Sequence, residues 1–300
     1  MKKIICVTSL TLLSLAGCKT MQNTKSTTKA EFPAFSTEAH RGGRGLMPEN
    51  TIIAMRNAID IGVTTLEMDT HITKDGQVVV THDDYLSPSF MLTPEGKEIP
   101  KADAKKYPIY QMDYNLLKQF DLGSKFLAAF PEQKKIKTNI PLLADLIDEV
   151  QTYSKGKRQL FYNIETKCSA KGDGIVNPGP EQFVKLLMDV IQKKGITPYV
   201  VIQSFDKRTL QILHKKYPEV RTSFLVDNKN TVAENLADLG FNPFILSPAF
   251  KMVNEELVKQ CHDRNVKVIP WTPNTKADID NLKQLKVDGI ISDYPNLLVN

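Results

Sequence analysis

The chain has 300 residues, 41% of them hydrophobic, which is enough for one large core and typical of single barrels of roughly 250 residues. Its formal net charge of +5 falls to +3 once Lys2 and Lys3 are removed with a leader, because 37 Lys and Arg then remain against 34 Asp and Glu. With no long basic run elsewhere, this composition gives no indication of nucleic-acid binding.

The first residues are typical of a secretory signal peptide. Lys2 and Lys3 precede an apolar stretch from Ile4 to Leu15 that is too short to cross a bilayer comfortably. The next residues complete Leu-Ala-Gly-Cys, which resembles the bacterial lipobox, where the leader is cut before the cysteine and the thiol is lipidated. We therefore expect a signal peptide over residues 1–17, lipidation of Cys18 and anchoring of the exported protein to a bacterial membrane, on its periplasmic or cell-surface side. An ordinary signal peptide with a chance cysteine is the alternative.

The segment after Cys18 is predicted to be a flexible tether. Residues 18–34 are polar and nearly lack large apolar side chains, so they cannot bury enough surface to offset the entropy of folding. The folded domain is expected to start at residue 35. Within it only Cys168 and Cys261 remain, so no disulfide framework supports the fold, and a single bridge between these two stays open.

From residue 35 onward, apolar runs of β type alternate with segments of helical periodicity, as in a parallel sheet with crossover helices. Asp206 and Asn254 are plausible N-caps for two of the helices. Helices are predicted over residues 51–61, 142–153, 184–191, 207–216, 232–239, 255–264 and 277–286. Strands are predicted over residues 39–40, 65–69, 160–167, 200–205, 222–226, 244–247, 266–272 and 289–293. Eight strands close a TIM (β/α)8 barrel, which is the predicted fold.

An extra strand and an insertion interrupt this alternation of strands and helices after the second strand. Residues 77–82 follow Asp75-Gly76, a good hairpin turn, and the returning strand would place Asp69 and His82 at the same height. Residues 84–140 then contain several prolines and charges but no long periodic helix. We predict that they form a cap over the mouth of the barrel, since they hold too few large apolar residues for an independent domain.

Carboxylates end two neighbouring predicted strands. Active sites of such barrels lie at the carboxyl ends of the strands, and Glu67 and Asp69 alternate on one strand, so they face the same point. Glu165 adds a third carboxylate from the next strand. Three negative charges inside a barrel repel one another unless a cation compensates them, and carboxylate oxygens suit Ca²⁺ or Mg²⁺ better than zinc. The sequence therefore predicts a divalent-cation site.

Histidines and basic residues stand beside these carboxylates. His40 and His82 end strands and can titrate near neutrality, so they could divide acid and base roles. Arg41 and Lys167 supply positive charge that could match a phosphate. His71 shares the face of Asp69 but should point above the site. The two remaining histidines, which we interpret as surface or packing residues, are His214 and His262.

Several long segments resemble the glycerophosphodiester phosphodiesterase family. They are H-R-G-G-R-G-L-M-P-E-N-T (40–51), E-M-D-T-H-I-T-K-D-G-Q-V-V-V-T-H-D (67–83), N-I-E-T-K (163–167) and W-T-P-N (271–274). D-G-I-I-S-D-Y-P (288–295) is similar to the closing segment of that family. The resemblance covers most of residues 35–300. Thr166 and Pro273 depart from the usual motifs, which bears on substrate preference more than on chemistry.

The resemblance implies a TIM barrel, one bound Ca²⁺ or Mg²⁺, and hydrolysis of glycerophosphodiesters to glycerol 3-phosphate and an alcohol. The site residues that it implies, matched motif by motif, are the metal ligands Glu67, Asp69 and Glu165, the acid–base pair His40 and His82, and the phosphate contacts Arg41 and Lys167. We also expect Trp271 to form an apolar wall for the glycerol.

Two other function classes remain open at this point. A lysophospholipase D or a phospholipase C-like enzyme would use similar groups on the same barrel. A surface binding protein could have kept the barrel and lost catalysis, although retention of both histidines and all three carboxylates weighs against it. The expected partners are a small-molecule substrate and the membrane reached through Cys18, with no nucleic acid and no obligate protein partner.

Overall fold

The structure is a computed structural model that describes Met1 and residues 29–299. Residues 2–28, which include nearly all of the predicted signal peptide, Cys18 and most of the tether, lie outside the described residues. In the described part of the chain, no helix combines the length and the apolar character needed to cross a membrane.

Nine β-strands and eight α-helices occur in the described residues. The strands are β1 (Ser36–Ala39), β2 (Thr65–Ile72), β3 (Val78–Val80), β4 (Phe161–Thr166), β5 (Val200–Ser204), β6 (Arg221–Val226), β7 (Ile245–Pro248), β8 (Lys267–Val268) and β9 (Gly289–Ser292). The helices are α1 (Ile52–Ile61), α2 (Tyr114–Leu117), α3 (Leu143–Ser154), α4 (Pro180–Lys194), α5 (Lys207–Lys216), α6 (Val232–Leu239), α7 (Glu255–His262) and α8 (Lys276–Gln284).

Eight parallel strands form a nearly closed barrel, which confirms the predicted TIM barrel. Their order is β8-β7-β6-β5-β4-β2-β1-β9, and β3 pairs with β2 in the antiparallel sense. The two ends of this order approach each other: the N–H of Asp288 donates to the carbonyl of Val268 at 2.8 Å, and that of Ile291 to Pro270 at 3.0 Å. Helices follow the strands and cover the outside of the barrel.

The strands are buried on both faces, as parallel strands under helices must be. All eight residues of β2 are buried, with Leu66 and Met68 in the main hydrophobic core beneath the helices. Because successive side chains point to opposite faces, Glu67 and Asp69 project to the other side, into the barrel. One strand thereby builds the core with one face and the site with the other.

The observed strands differ from the predicted ones by one or more residues at their ends, and the differences at β1 and β8 have a clear local cause. β1 ends at Ala39, and His40 begins a short 3-10 turn in which Arg41 has a φ of 51°. Gly42 follows at φ 78°, and a Cβ there would lie 2.7 Å from the Cβ of Ala54, so this turn requires glycine. β8 stops at Val268, two residues before Pro270, which has no N–H for a ladder.

The turn between β2 and β3 contains three residues, 74–76, because the N–H before it bonds to the carbonyl after it at 2.9 Å. Gly76 has a φ of 76°, as such three-residue hairpins require. Asp69 consequently lies opposite Thr81, whose N–H donates to its carbonyl at 3.0 Å. Asp69 and His82 therefore lie at about the same height, as predicted, with His82 one residue beyond the partner of Asp69.

The insertion after β3 packs onto the barrel through its own apolar cluster. It contains α2 and two 3-10 turns, Lys101–Lys106 and Ile109–Gln111. Residues from the insertion and its borders share a buried cluster with Val79 of β3, and its members include Leu86, Met91, Ile99, Ile109, Met112, Leu117, Phe120, Leu122 and Ile140. This small core attaches the insertion to the hairpin that carries His82.

Local features agree with several sequence predictions. The side chains of Asp206 and Asn254 accept hydrogen bonds from backbone N–H groups at the starts of α5 and α7, which confirms both N-caps. Cys168 and Cys261 are both free and buried, so the bridge left open above is not formed. Burial raises the pKa of each thiol to about 12.

Residues just before β1 cover the amino end of the barrel. The ring of Phe32 packs edge-on against Phe161 and Phe244, with ring centroids 5.3 and 5.2 Å away. The Arg221 guanidinium lies 5.8 Å from the Phe32 ring, and the N–H of Ala30 donates to a backbone carbonyl at 3.1 Å. The folded part thus begins before residue 35, where the folded domain was predicted to start.

We expect Phe32→Ala to lower the free energy of unfolding by about 2–3 kcal/mol, because it removes a ring packed against two others. Urea unfolding followed by circular dichroism measures this loss. Phe126→Ala is the matched control: the Phe126 ring is largely exposed, and its removal should cost less than about 0.5 kcal/mol. Equal losses in the two variants would contradict a structural role for the segment before β1.

Candidate active site

Three carboxylates meet at the carboxyl ends of β2 and β4. Asp69 pairs with Glu165 in the register of the two parallel strands, and Glu67 lies two residues before Asp69 on the same face. Each residue offers one oxygen, and these oxygens all lie within 4.8 Å of one another. All three side chains are buried. The structure therefore brings together the three residues predicted as metal ligands.

Burial and mutual repulsion govern the charge of this cluster. Burial raises the pKa of Glu67, and the neighbouring Asp69 raises it further. Burial also raises the pKa of Glu165, although Lys167 opposes it. For Asp69 burial acts in the same direction, but the charge of Arg41 and other cations outweighs it and holds the pKa below its usual range.

Arg41 is committed mainly to carboxylates. Its Nη1 donates to Glu49 at 2.8 Å, its Nε lies 3.3 Å from Asp69, and its backbone N–H donates to Glu67 at 2.7 Å. The left-handed φ of Arg41 brings backbone and side chain to the same cluster. Its guanidinium also lines the cleft, so the predicted phosphate contact would be made by a side chain already fixed on both sides.

Lys167 follows Glu165 by two residues at the end of β4 and extends over the carboxylates. Its Nζ lies 3.0 Å from Glu165 and 3.9 Å from Asp69. Burial alone would lower the pKa of Lys167, but these carboxylates raise it, so the side chain stays protonated at neutral pH. This single flexible ammonium can serve either the carboxylates or a phosphate in the cleft.

His40 is held by Asp293, a residue to which the sequence analysis assigned no role. Nδ1 of His40 donates to Asp293 at 2.5 Å, and the same carboxylate accepts from Arg44 at 2.7 Å and from Asn274 at 2.7 Å. Burial lowers the pKa of His40, and Asp293 opposes that effect. With Nδ1–H bonded to Asp293, neutral His40 carries its lone pair on Nε2, the atom needed by a general base.

His82 has a similar carboxylate partner but more contact with solvent. Its Nδ1 bonds to Asp83 at 2.7 Å, and its side chain is 30% exposed. His71, which was predicted to point above the site, is fully buried, and its Nε2 donates to the carbonyl of His82 at 3.0 Å. Burial lowers the pKa of His71 to about 4, so it is neutral at pH 7 and supports the main chain of His82.

Most of the proposed site residues line one cleft, and we call the polar part of its lining the polar wall and the apolar part the apolar wall. The polar wall holds the histidines, the basic residues and two of the carboxylates. The apolar wall includes Phe205, Leu225, Trp271 and Ile291. Phe205 meets Trp271 edge to face at 5.5 Å, and the indole N–H of Trp271 donates to the carbonyl of Ser247 at 3.0 Å. The structure thus places Trp271 where a wall was predicted.

Several supporting residues were missed because their partners are remote in sequence. Asn50 donates from Nδ2 to Asp69 at 2.8 Å and accepts from its N–H at 3.2 Å. Gln203 donates to Glu67 at 2.7 Å. Asn50 and Asp293 lie inside motifs that the sequence analysis quoted, which is the signal that could have found them. Gln203 lies in an ordinary strand sequence with no such signal.

Comparisons with known proteins agree with this geometry. The model of the glycerophosphoryl diester phosphodiesterase family matches residues 40–297. A glycerophosphodiester phosphodiesterase of Caldanaerobacter subterraneus is 30% identical over 264 residues, which cover 87% of this chain and 95% of the relative. A human lysophospholipase D is 25% identical, over 87% of this chain and 83% of its own. A crystal structure from Silicibacter pomeroyi, assigned to the same class of phosphodiesterase, aligns with a TM-score of 0.78 at 26% identity, over 90% of this chain and 93% of that one.

We expect Asp293→Asn to lower the pKa of His40 further, because the substitution removes the negative charge that opposes the effect of burial. NMR titration of the His40 ring measures the change. Asp288→Asn is the control, since it removes a carboxylate that bonds to a different histidine, His262, and should leave the His40 titration unaltered. An unchanged or raised pKa in Asp293→Asn would refute the assigned coupling.

Proposed function

Because the chain belongs to the glycerophosphoryl diester phosphodiesterase family and is an enzyme of that class, we propose that it hydrolyses glycerophosphodiesters to glycerol 3-phosphate and an alcohol, using one divalent cation and two histidines. The observation that carries this proposal is the single cleft that joins a buried carboxylate cluster to two histidines, each held by its own carboxylate. A cation site, a base and an acid are the groups that phosphodiester cleavage needs.

The donor set fits a hard divalent cation. Glu67, Asp69 and Glu165 offer only oxygen atoms, which Ca²⁺ and Mg²⁺ prefer, and their buried negative charges require compensation. We propose these three residues as its ligands. When bound, such a cation supplies positive charge that polarises a phosphoryl oxygen. Arg41 and Lys167 add fixed positive charge on the same side of the cleft and would orient the phosphate.

The two histidines divide the proton transfers. We assign His40 as the first base, because burial favours its neutral form and Asp293 leaves the Nε2 lone pair free. His40 removes the proton of the glycerol 2-hydroxyl, whose oxygen attacks phosphorus and displaces the alcohol. His82 protonates the departing oxygen. Water then opens the cyclic phosphate with the roles exchanged, so both histidines return to their starting states.

The apolar wall favours the lysophospholipase D activity as a second candidate. Phe205 is half exposed beside Trp271 and could accept an acyl chain as well as the carbon skeleton of glycerol. The human relative is a lysophospholipase D. Relative rates on glycerophosphocholine and lysophosphatidylcholine separate the two candidates, and we expect faster turnover of the deacylated substrate, because charged and polar groups make up most of the lining of the cleft.

Attachment to a membrane is a separate part of the proposal. The lipobox-like segment before Cys18 supports export and lipid anchoring to a bacterial membrane, with the folded domain connected through the residues after the cysteine. In that arrangement the substrate would reach the cleft from the periplasmic or cell-surface side.

We expect glycerol 3-phosphate release from glycerophosphocholine to be abolished by EDTA and restored by Ca²⁺ or Mg²⁺. His40→Ala and His82→Ala should each lower kcat/KM by about 10²–10⁴, because each removes one proton transfer. A coupled glycerol 3-phosphate assay measures the rates, with His262→Ala as the control at a histidine remote from the cleft. Full activity in EDTA after exhaustive metal removal would exclude the cation, and full activity of both variants would exclude the histidines.

We expect Cys18→Ser to abolish incorporation of labelled palmitate and to move the protein from the membrane fraction to the soluble fraction of a bacterial host. The reason is that the serine hydroxyl cannot replace the thiol as the lipid acceptor. Cys168→Ser controls for loss of a buried cysteine and should leave labelling intact. A wild-type chain that takes up no palmitate would contradict lipid anchoring.

A further inference from the structure

A chain of hydrogen bonds runs from Glu67 into the interior of the barrel. Nε2 of Gln203 donates to Oε1 of Glu67 at 2.7 Å, and Nδ2 of Asn163 donates to Oε1 of Gln203 at 3.1 Å. The same Nδ2 donates its second hydrogen to Oε2 of Glu38 at 2.8 Å. Glu38, Asn163 and Gln203 lie on β1, β4 and β5 and are at most 2% exposed.

The carboxylates at the two ends fix the direction of this chain. In the ionised form that can bind a cation, the Glu67 carboxylate only accepts, which matches the observed orientation of Gln203, with its amide nitrogen toward Glu67 and its oxygen toward Asn163. Asn163 must then donate to Gln203, and Glu38 accepts its other hydrogen. Ser36 completes the chain by donating to Oε1 of Glu38 at 2.9 Å. Neither amide can rotate without breaking a hydrogen bond to a neighbour.

The orientation of Asn163 carries a cost that the chain explains. Its Oδ1 is buried without a hydrogen-bond partner among the described residues, and such atoms are rare in folded proteins. Both hydrogens of the amide are used by Gln203 and Glu38 instead. The hydrogen bonds to Gln203 and Glu38 therefore determine the orientation of the Asn163 amide. Their combined free energy must exceed the cost of leaving Oδ1 without a partner.

Both oxygens of Glu67 are held from outside the carboxylate cluster. Oε1 accepts from Gln203, and Oε2 accepts from the backbone N–H of Arg41 at 2.7 Å. The carboxylate plane is thereby fixed, with lone pairs left over on the side that faces Asp69 and Glu165. Hydrogen bonds that hold a ligand in place raise metal affinity, because the ligand loses less freedom on binding.

We propose that Glu38, Asn163 and Gln203 are positioning residues that fix Glu67 for the divalent cation, an inference that rests on the cation site of the proposed function. Glu38 contacts neither the cation ligands nor the cleft, so it acts through the two amides. A role in barrel packing alone would make each substitution lower stability and leave the affinity of the folded protein for the cation unchanged.

Isosteric substitutions test each step of the chain. Gln203→Met removes the donor to Glu67 and should weaken Ca²⁺ and Mg²⁺ binding about 10–100-fold. Glu38→Met removes the acceptor that orients Asn163 and should weaken binding by roughly 10-fold. Glu38→Gln keeps an acceptor oxygen for Asn163, and its added N–H group can donate to the Ser36 hydroxyl, so this conservative variant should restore binding to near the wild-type level.

A double variant tests whether the effects pass through Gln203. If Glu38 acts only through the chain, Glu38→Met adds no further loss in a Gln203→Met background, and the two losses are not additive. Ser223→Ala is the control: Ser223 is a buried polar residue that pairs with Gln203 in the register of β5 and β6, and its hydroxyl has no partner in the described structure. We expect wild-type affinity in this control.

Calorimetric titration of the full-length, EDTA-stripped protein in detergent with Ca²⁺ and with Mg²⁺ measures these affinities, and thermal unfolding in EDTA reports folding. Unchanged affinity in folded Gln203→Met and Glu38→Met would overturn the inference, as would additive losses in the double variant. If Gln203→Met does not fold, the cation affinities of Glu38→Met and Glu38→Gln are sufficient to test the inference. A wild-type protein that binds neither cation would instead overturn the proposed cation site, on which the inference rests.

Discussion

The repulsion among three buried carboxylates is the constraint on which the arrangement of the site depends. Glu67, Asp69 and Glu165 project from neighbouring strands toward one point, where low polarizability makes like charges costly. The chain compensates with Arg41, which touches Asp69, and Lys167, which touches Glu165. Arg41 follows His40 just after the end of β1. Lys167 lies two residues after Glu165, at the end of β4. Lys167 thus lies in the same short motif as Glu165, whereas Arg41 comes from a separate motif, and the proposed cation would complete the compensation of charge.

The two histidines for which opposite proton-transfer roles are proposed have similar hydrogen-bond partners. Each uses Nδ1 for a carboxylate, Asp293 for His40 and Asp83 for His82, which leaves Nε2 for the substrate. Their surroundings differ, because the His40 side chain is 13% exposed whereas that of His82 is 30% exposed. Burial favours the neutral, proton-accepting form of the His40 imidazole. The two rings thus differ in their exposure to solvent and not in the kind of group that Nδ1 contacts, and the proposed roles rest on this difference in exposure.

The barrel and the carboxylate cluster could be predicted from sequence because both follow from local periodicity. Because side chains alternate in direction along a strand, Glu67 and Asp69 were predicted to share one face of β2. Glu165 was added because it ends the next predicted strand. The register of the hairpin could not be obtained in this way, since whether the turn holds two or three residues depends on hydrogen bonds around Gly76. Asp293, whose main partner is 253 residues away in the chain, has no local pattern that connects it to that partner. Long-range partners of this kind appear only when the barrel closes.

Closure of the barrel is also what makes the interior polar chain possible. A doubly covered parallel strand is expected to be apolar throughout, yet the barrel interior here contains Glu38, Asn163 and Gln203 on three different strands. Glu38 accepts a hydrogen bond from Ser36 on its own strand, and Asn163 donates to Gln203 on the neighbouring strand. The bonds from Asn163 to Glu38 and from Gln203 to Glu67 instead join strands that are two apart in the sheet, and losing them would leave buried polar groups unpaired, which is unfavourable. Curling the sheet around a common axis brings these inward side chains of non-neighbouring strands within hydrogen-bond distance. The fold therefore turns three locally unfavourable residues into a support for Glu67, and the site and the barrel interior depend on each other.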